Sequence, residues 1–146
     1  MTDVMNKLAV TLADTYALYL KTQNYHWHVR GPHFKALHEL FEMQYKELAQ
    51  AVDEIAERML MLGHKAPATF KEFEKLKRIQ DGNSDIDANQ MVTELAKDHN
   101  QLVKDLNQAM TIAHDNDDEG TANLLADRIS AHEKAHWMLN SSKSNA

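Results

Sequence analysis

The sequence contains no cysteine among its 146 residues. This absence excludes disulfide bonds, zinc–thiolate sites, iron–sulfur clusters and thiol nucleophiles. Glycine and proline are also scarce, with only 4 and 2 copies. Turn-rich β-structures need many more of these residues, so an all-β fold is excluded.

Long apolar runs and an excess of positive charge are missing as well. No stretch approaches the 18 or more apolar residues of a membrane span, and the apolar segment 8–13 is shorter than a signal-peptide core and is closed by Asp14. Lysine and arginine number 16 against 22 acidic residues, a formal charge of −6. This balance disfavours general binding to the DNA backbone. We therefore expect a cytoplasmic protein without a membrane partner.

Hydrophobic residues make up 43% of the chain, enough for one sizeable core, and the length fits a single domain over residues 1–146. In the first segment these residues recur at steps of three and four, the period of an α-helix. The pattern predicts a helix from about residue 3 to Val29, which Gly31 and Pro32 end. Its apolar positions are Met5, Leu8, Leu12, Tyr16, Tyr19 and Leu20.

The second helix has the clearest pattern of the sequence. Apolar residues keep the helical rhythm over residues 34–62, and Gly63 follows. The connection over residues 64–85 is too long for a simple helical hairpin. Within it, Thr69 and Glu72 have the spacing of a capping box. A short crossover helix is therefore predicted there.

Two more helices complete the chain. Asp85 or Asp87 can cap the third, which ends in an acidic loop over residues 114–120, and the fourth runs to a frayed tail over residues 141–146. Two antiparallel helix pairs joined by one long crossover form the ferritin-like version of a four-helix bundle. The predicted fold class is therefore all-α, with a short extra helix in the crossover.

A polar stripe flanks the apolar stripe of the second helix. His38 and Glu42 lie one turn apart on it, as do Asp53 and Glu57. Each pair can therefore give two ligand atoms to one metal ion. Glu42 and Asp53, however, are separated by roughly 16 Å along the helix axis. One chain cannot bring both pairs to one site.

His26 on the first helix is a partner for the first pair. It lies five residues before Gly31, and His38 lies seven residues after it. In an antiparallel hairpin the two imidazoles therefore lie at about the same height. His28 is on another side of the first helix.

The pair Asp53 and Glu57 needs a second chain. Antiparallel packing of two second helices about a two-fold axis would place it opposite the three other ligands. Mixed imidazole and carboxylate ligands suit iron or manganese. The alternative is that these acids form an ordinary solvated face beside Lys46 and Arg58.

Three segments closely resemble the signature of the Dps family, the DNA-binding proteins from starved cells, also called miniferritins. They are residues 24–34 (NYHWHVRGPHF), 37–39 (LHE) and 53–58 (DEIAER), and the resemblance extends to residues 132–139. It implies a ferroxidase site between two-fold-related subunits of a homododecamer. The matching metal positions are His26, His38, Glu42, Asp53 and Glu57. Many members have Asp where Glu42 stands, which puts the metal spacing in doubt but not the ligand type.

The resemblance also implies a substrate and a storage function. Fe(II) would bind with up to two ions per site, be oxidised, preferably by hydrogen peroxide, and be stored as Fe(III) mineral. Trp27 is by residue type first a core aromatic, and the resemblance places it near the iron, where it could absorb an oxidising equivalent. Acids at the start of the last helix either cap that helix or line a three-fold pore. The pore candidates are Asp118, Asn123 and Asp127.

Three rival functions are weaker. Residues 132–136 spell the H-E-x-x-H of zinc proteases, but no third His, Asp or Glu ligand follows and no β-edge is predicted, so we interpret the motif as fortuitous on a packed helix. A nucleoid-compacting DNA binder would use a lysine-rich arm, whereas residues 1–6 contain no lysine and the C-terminal tail has only Lys143. A purely structural bundle would leave the five ligand positions without a role.

Overall fold

The computed structural model describes residues 2–144 and contains, within that range, five α-helices and no β-strand. The all-α prediction is therefore confirmed. The helices are α1 (Thr2–His28), α2 (Phe34–Met61), α3 (Phe70–Leu76), α4 (Ala88–Asp115) and α5 (Glu119–Ser141). None of them is long and apolar enough to cross a membrane.

The four long helices pack as two antiparallel pairs, α1 with α2 and α4 with α5. Helix α1 also contacts α4, and α2 contacts α5, so the pairs close into one bundle. The short α3 lies in the long connection between the pairs and packs against α1. This is the predicted ferritin-like arrangement with its extra crossover helix.

The turns after α1 and α2 both depend on glycine. Gly31 has φ 118° and Gly63 has φ 86°, conformations that other residues rarely adopt. A Cβ atom at either position would meet nothing within 4 Å. Glycine is therefore required by the positive φ of the backbone and not by a lack of space. The two predicted helix ends are confirmed.

Side-chain caps fix the start of α3 and α4. The Thr69 hydroxyl accepts from Glu72 N at 3.1 Å, and the same hydroxyl donates to the Glu72 carboxylate at 2.9 Å. Asp87, not Asp85, caps α4: its carboxylate accepts from Gln90 N at 2.8 Å, and the Gln90 side chain accepts from Asp87 N at 3.0 Å. Both caps satisfy backbone N–H groups that the helix itself leaves unpaired.

The predicted acidic loop is shorter than expected. Residues 116–118 alone connect the helices, because α4 extends to Asp115 and α5 already begins at Glu119. Helix α5 ends at Ser141, where the tail was predicted to begin. The described part of the tail forms a hydrogen bond with α4, in which Ser144 N donates to Asn89 Oδ1 at 2.9 Å. Residues 145–146 lie outside the described part of the chain.

Apolar side chains from all four long helices fill the core. The largest fully buried ones are Tyr25, Phe41, Leu8, Leu12, Leu18, Leu48, Ile55, Met91, Leu95, Leu102, Leu106 and Leu125. Large apolar side chains also stay exposed on the single subunit, among them Phe70 at 81% and Met61 at 73%. Such exposure is typical of a surface that a partner covers.

Candidate metal centre

His26, His38 and Glu42 form one cluster where α1 meets α2. One ligand atom from each of the three residues lies within 4.8 Å of the other two. Among residues 2–144, no other group of three or more histidines and acids meets this condition. The antiparallel hairpin therefore brings together the three residues that the sequence predicted for one half of a metal site.

The two histidines orient each other. His26 Nδ1 donates to the backbone carbonyl of His38 at 2.7 Å, and His38 Nδ1 donates to the carbonyl of His26 at 2.7 Å. Because a carbonyl oxygen can only accept, the proton of each neutral ring is on Nδ1. Each Nε2 therefore keeps a free lone pair, the atom that a metal ion needs.

Aromatic side chains pack on both imidazoles. The His26 and His38 rings are stacked, with centroids 3.8 Å apart. Phe34 stacks on His38 at 4.9 Å, and Tyr45 packs edge-on against His26 at 5.2 Å. His26 is buried and His38 half-buried. The rings are consequently held in place by packing as well as by hydrogen bonds.

Glu42 gives the cluster a negative charge. Its Oε1 lies 3.7 Å from His26 Nε2, and its Oε2 pairs with Lys46 Nζ at 2.8 Å. The hydrogen bond and charge of Lys46 lower the pKa of Glu42, and the two imidazoles add to this effect. The carboxylate is therefore ionised at neutral pH and ready to bind a cation.

Asp53 and Glu57 are exposed on α2, one turn apart, and lie outside the cluster. Their exposure agrees both with the alternative of a solvated face and with a role on another chain, and neither Lys46 nor Arg58 pairs with them. Lys46 pairs with Glu42, and Arg58 donates to Asp118 at 2.9 Å. Within residues 2–144 the two acids have no hydrogen bond or ion pair, so both stay free to act on another chain.

Trp27 is 60% exposed on the single subunit. The expectation that it is a core aromatic is therefore wrong. Its neighbour His26 faces α2, and Trp27 lies about 100° further round α1, away from the bundle. The apolar pattern alone does not distinguish a core position from one that only another subunit covers.

Asp118 is buried, and its carboxylate is engaged within the subunit. One oxygen accepts from Arg58 at 2.9 Å and the other from the Thr121 hydroxyl at 2.6 Å. Burial raises its pKa, but the hydrogen bonds from Thr121 and Arg58 outweigh burial and lower it. Asp118 is thus the cap of α5, whereas Asn123 and Asp127 are exposed and stay predictions for a pore.

The H-E-x-x-H motif does not form a metal site. His132 is buried and its Nδ1 pairs with His99 Nδ1 at 2.8 Å, whereas His136 pairs with Asn140 at 3.2 Å. The reading of this motif as fortuitous on a packed helix agrees with these contacts. His99 was not among the predicted residues, although its position between Leu95 and Leu102 on one apolar stripe indicates a buried residue.

The chain is similar over nearly its whole length to known proteins. Residues 5–143 match the ferritin-like domain family. The chain is 42% identical over 137 residues to DNA protection during starvation protein 2 of Bacillus anthracis, covering 94% of this chain and 92% of that one. The crystal structure of Dps from Staphylococcus aureus superposes with a TM-score of 0.96 at 33% identity, covering 100% and 98% of the two chains.

A Dps protein from Vibrio cholerae O1 superposes with a TM-score of 0.92 at 32% identity, covering 96% of this chain and 88% of that one. That protein is described as a member of a broad superfamily of ferritin-like diiron-carboxylate proteins.

Proposed function

Because this chain belongs to the Dps family of ferritin-like proteins, we propose that it is a miniferritin that oxidises Fe(II) and stores Fe(III) mineral inside a homododecamer. The observation that carries this proposal is the cluster of His26, His38 and Glu42, with both imidazole Nε2 atoms free. Two nitrogen donors and one ionised carboxylate form half of a suitable iron site. Its natural place is the cytoplasm, as the sequence predicts.

Asp53 and Glu57 of a two-fold-related subunit supply the other half in this proposal. Their exposure on α2 and their lack of partners within the described chain support that role. Large apolar side chains that stay exposed on the single subunit, such as Trp27, support burial by another copy. The complete site then has two imidazoles and three carboxylates, enough for up to two iron ions.

Each group has a defined task in the reaction. His26 and His38 bind Fe(II) through Nε2, while Glu42 leaves Lys46 and turns to the metal. The three carboxylates balance the added positive charge as Fe(II) becomes Fe(III). Two Fe(II) ions give one electron each to hydrogen peroxide, whose O–O bond breaks, and two protons complete two molecules of water. Because both electrons leave together, no hydroxyl radical is released, which protects DNA and other cell components.

Anaerobic titration with Fe(II), followed by stoichiometric peroxide, tests the activity. We expect saturable Fe(II) binding, then rapid formation of the ferric absorbance with one peroxide consumed for two Fe(II). A chain that binds no Fe(II) without oxygen, or that oxidises it no faster than buffer does, would contradict the proposal. The same experiment with dioxygen in place of peroxide compares the rates of Fe(II) oxidation by the two oxidants.

Direct DNA binding is the alternative function, and the described contacts do not favour it. Residues 2–6, which precede Lys7, belong to α1 and form no arm. Twelve chains at −6 each give a formal charge of −72. Phosphate binding requires local cations in number. We therefore expect no shift of DNA in a gel at physiological salt, and a shift that strengthens as salt is lowered would favour the alternative.

A further inference from the structure

A small pocket of about 160 Å³ lies between α2, α4 and α5, apart from the metal cluster. Gln44 of α2 and His99 of α4 line it, and Met43 and Met138 form apolar walls. None of the five predicted metal ligands lines this pocket. It is therefore a separate feature of the bundle.

Two of the polar side chains that line the pocket are almost completely buried. Gln44 is 4% exposed and His99 is 2% exposed. Neither the amide nitrogen nor the amide oxygen of Gln44 has a hydrogen-bond partner among the described residues, and the same is true of His99 Nε2. Buried polar atoms are normally paired, since an unpaired one is costly. Three such atoms belong to two residues that line one pocket, so a molecule in that pocket is their candidate partner.

A relay of hydrogen bonds fixes what His99 offers. Arg128 Nη2 lies 3.2 Å from His132 Nε2, and because arginine can only donate, this nitrogen of His132 accepts. The proton of His132 is then on Nδ1, which donates to His99 Nδ1 at 2.8 Å. His99 must therefore carry its proton on Nε2. Glu47 holds Arg128 in place through a hydrogen bond of 3.0 Å from Nη2.

The pocket thus offers three neutral hydrogen-bonding groups: a donor on His99, and a donor and an acceptor on Gln44. The two charged residues that line the pocket, Lys134 and Glu47, are both exposed, and Glu47 pairs with Arg128. A charged ligand would lose its hydration against the buried, neutral groups of Gln44 and His99. An uncharged ligand with both an acceptor and a donor matches these groups, and the methionine side chains match an apolar body.

We propose that this pocket binds a small uncharged molecule that combines a carbonyl acceptor and an N–H or O–H donor with a short apolar body. Its carbonyl oxygen accepts from His99 Nε2, and its polar end pairs with the Gln44 amide. The pocket volume equals that of about five water molecules in the liquid, which sets a limit near six non-hydrogen atoms. This binding is independent of the iron chemistry.

Isobutyramide, with its primary amide on a short branched chain, is a suitable probe for the assembled protein. Crystals soaked in isobutyramide should show it in the pocket with its oxygen facing His99. Calorimetry in solution should give an affinity about ten-fold above that of isobutyrate, which has the same shape but a negative charge, because the carboxylate loses its hydration.

Two variants test separately the space of the pocket and its hydrogen-bonding groups. Met138→Phe should fill the pocket and abolish binding while leaving Gln44 and His99 unchanged. Gln44→Met should weaken isobutyramide about ten-fold but leave 3-methyl-2-butanone, an acceptor without a donor, within about two-fold. Helical circular dichroism and assembly size confirm that each variant folds.

The proposal is overturned if saturating isobutyramide leaves only water in the pocket. Binding that survives Met138→Phe would place the amide elsewhere, and isobutyrate that binds as tightly as the amide would refute the uncharged ligand. Loss of Fe(II) oxidation by the parent protein would leave this test unaffected, because the pocket does not include the metal ligands.

Discussion

His26 and His38 each donate a hydrogen bond of 2.7 Å from Nδ1 to the backbone carbonyl of the other residue. This exchange links the last turn of α1 to the second turn of α2, so the hairpin itself sets both ring orientations. A metal site built this way requires little rearrangement when the ion arrives. Substitution of either histidine by alanine removes one ligand and the ring that stacks on the other imidazole, while the backbone carbonyl that accepts from the other imidazole remains.

His26→Ala and His38→Ala should therefore each lower the kcat/KM for Fe(II) oxidation by about 100-fold, with little further loss in the double variant. Strict additivity of the two losses would show that the rings act independently. Stopped-flow absorbance after peroxide addition measures the rates. His28→Ala is the matched control, since His28 is exposed and, among residues 2–144, its hydrogen bonds go to Asn24 of its own helix.

In the proposed site, Lys46 would compete with iron for Glu42. Lys46→Met removes the ion pair, and the pKa of Glu42 then returns toward its usual value, which still leaves the carboxylate ionised at pH 7. We expect the Fe(II) concentration for half-saturation to fall about two- to five-fold, the range for an exposed ion pair. Lys71→Met on α3 is the control. A higher half-saturation concentration would mean that Lys46 positions Glu42 productively.

Acid should destabilise the bundle through His99 and His132. Burial, with the charge of Arg128 and then His136, lowers the pKa of His99 to about 3, and burial also lowers that of His132. The unfolded chain has a histidine pKa near 6.5, so the unfolded state binds more protons below that pH. Stability is therefore fully present above pH 6.5 and falls progressively toward pH 3.

The free energy of unfolding should fall by about 1.4 kcal/mol per pH unit for each histidine at the steepest part of this range. Urea unfolding at a series of pH values measures it. His132→Gln should show a shallower dependence than the parent chain, whereas the exposed His64→Gln should keep the parent dependence. Equal slopes for the parent and His132→Gln would show that this histidine is not held neutral.

Light scattering should find an assembly of about 200 kDa, since twelve subunits of 16.7 kDa form the proposed shell. Exposed apolar side chains such as Phe70 and Met61 give the association its driving force. Phe70→Ser should weaken assembly more than the Lys71→Ser control beside it. A stable monomer at micromolar concentration would rule out a site shared between chains.

The features that depend on local sequence were predictable. Helical period, the glycine turns and the Thr69 cap each involve residues within a few positions of one another, and all were confirmed. The cluster of His26, His38 and Glu42 was predictable too, because Gly31 fixes the register of the hairpin. Asp118 was harder, since its capping role is completed by Arg58, sixty residues earlier in the chain.

The features that were not predicted depend on residues far apart in the sequence or on a second chain. His99 and His132 form a buried pair between α4 and α5 although they lie 33 residues apart in sequence, and no residue near His99 in the sequence indicates its partner. Trp27 is 60% exposed on the single subunit. It was predicted to be a core residue because an apolar pattern does not distinguish a core position from a surface that another copy would cover. The same limit applies to Asp53 and Glu57, whose proposed partners lie on another chain.

Co-assembly of two inactive variants tests the shared metal site most directly. One variant carries His26→Ala, His38→Ala and Glu42→Ala, and the other carries Asp53→Ala and Glu57→Ala. Each alone should keep its helical fold and lose peroxide-driven Fe(II) oxidation. In a mixed two-fold pair, one of the two sites receives both intact halves.

Random mixing of equal amounts makes half of the pairs mixed, so about a quarter of the sites should be intact. If the site is shared between two chains, as we propose, co-expressed variants should recover about a quarter of the parent rate of Fe(II) oxidation. A co-assembled shell that contains both variants and shows no more activity than either alone would contradict the shared site.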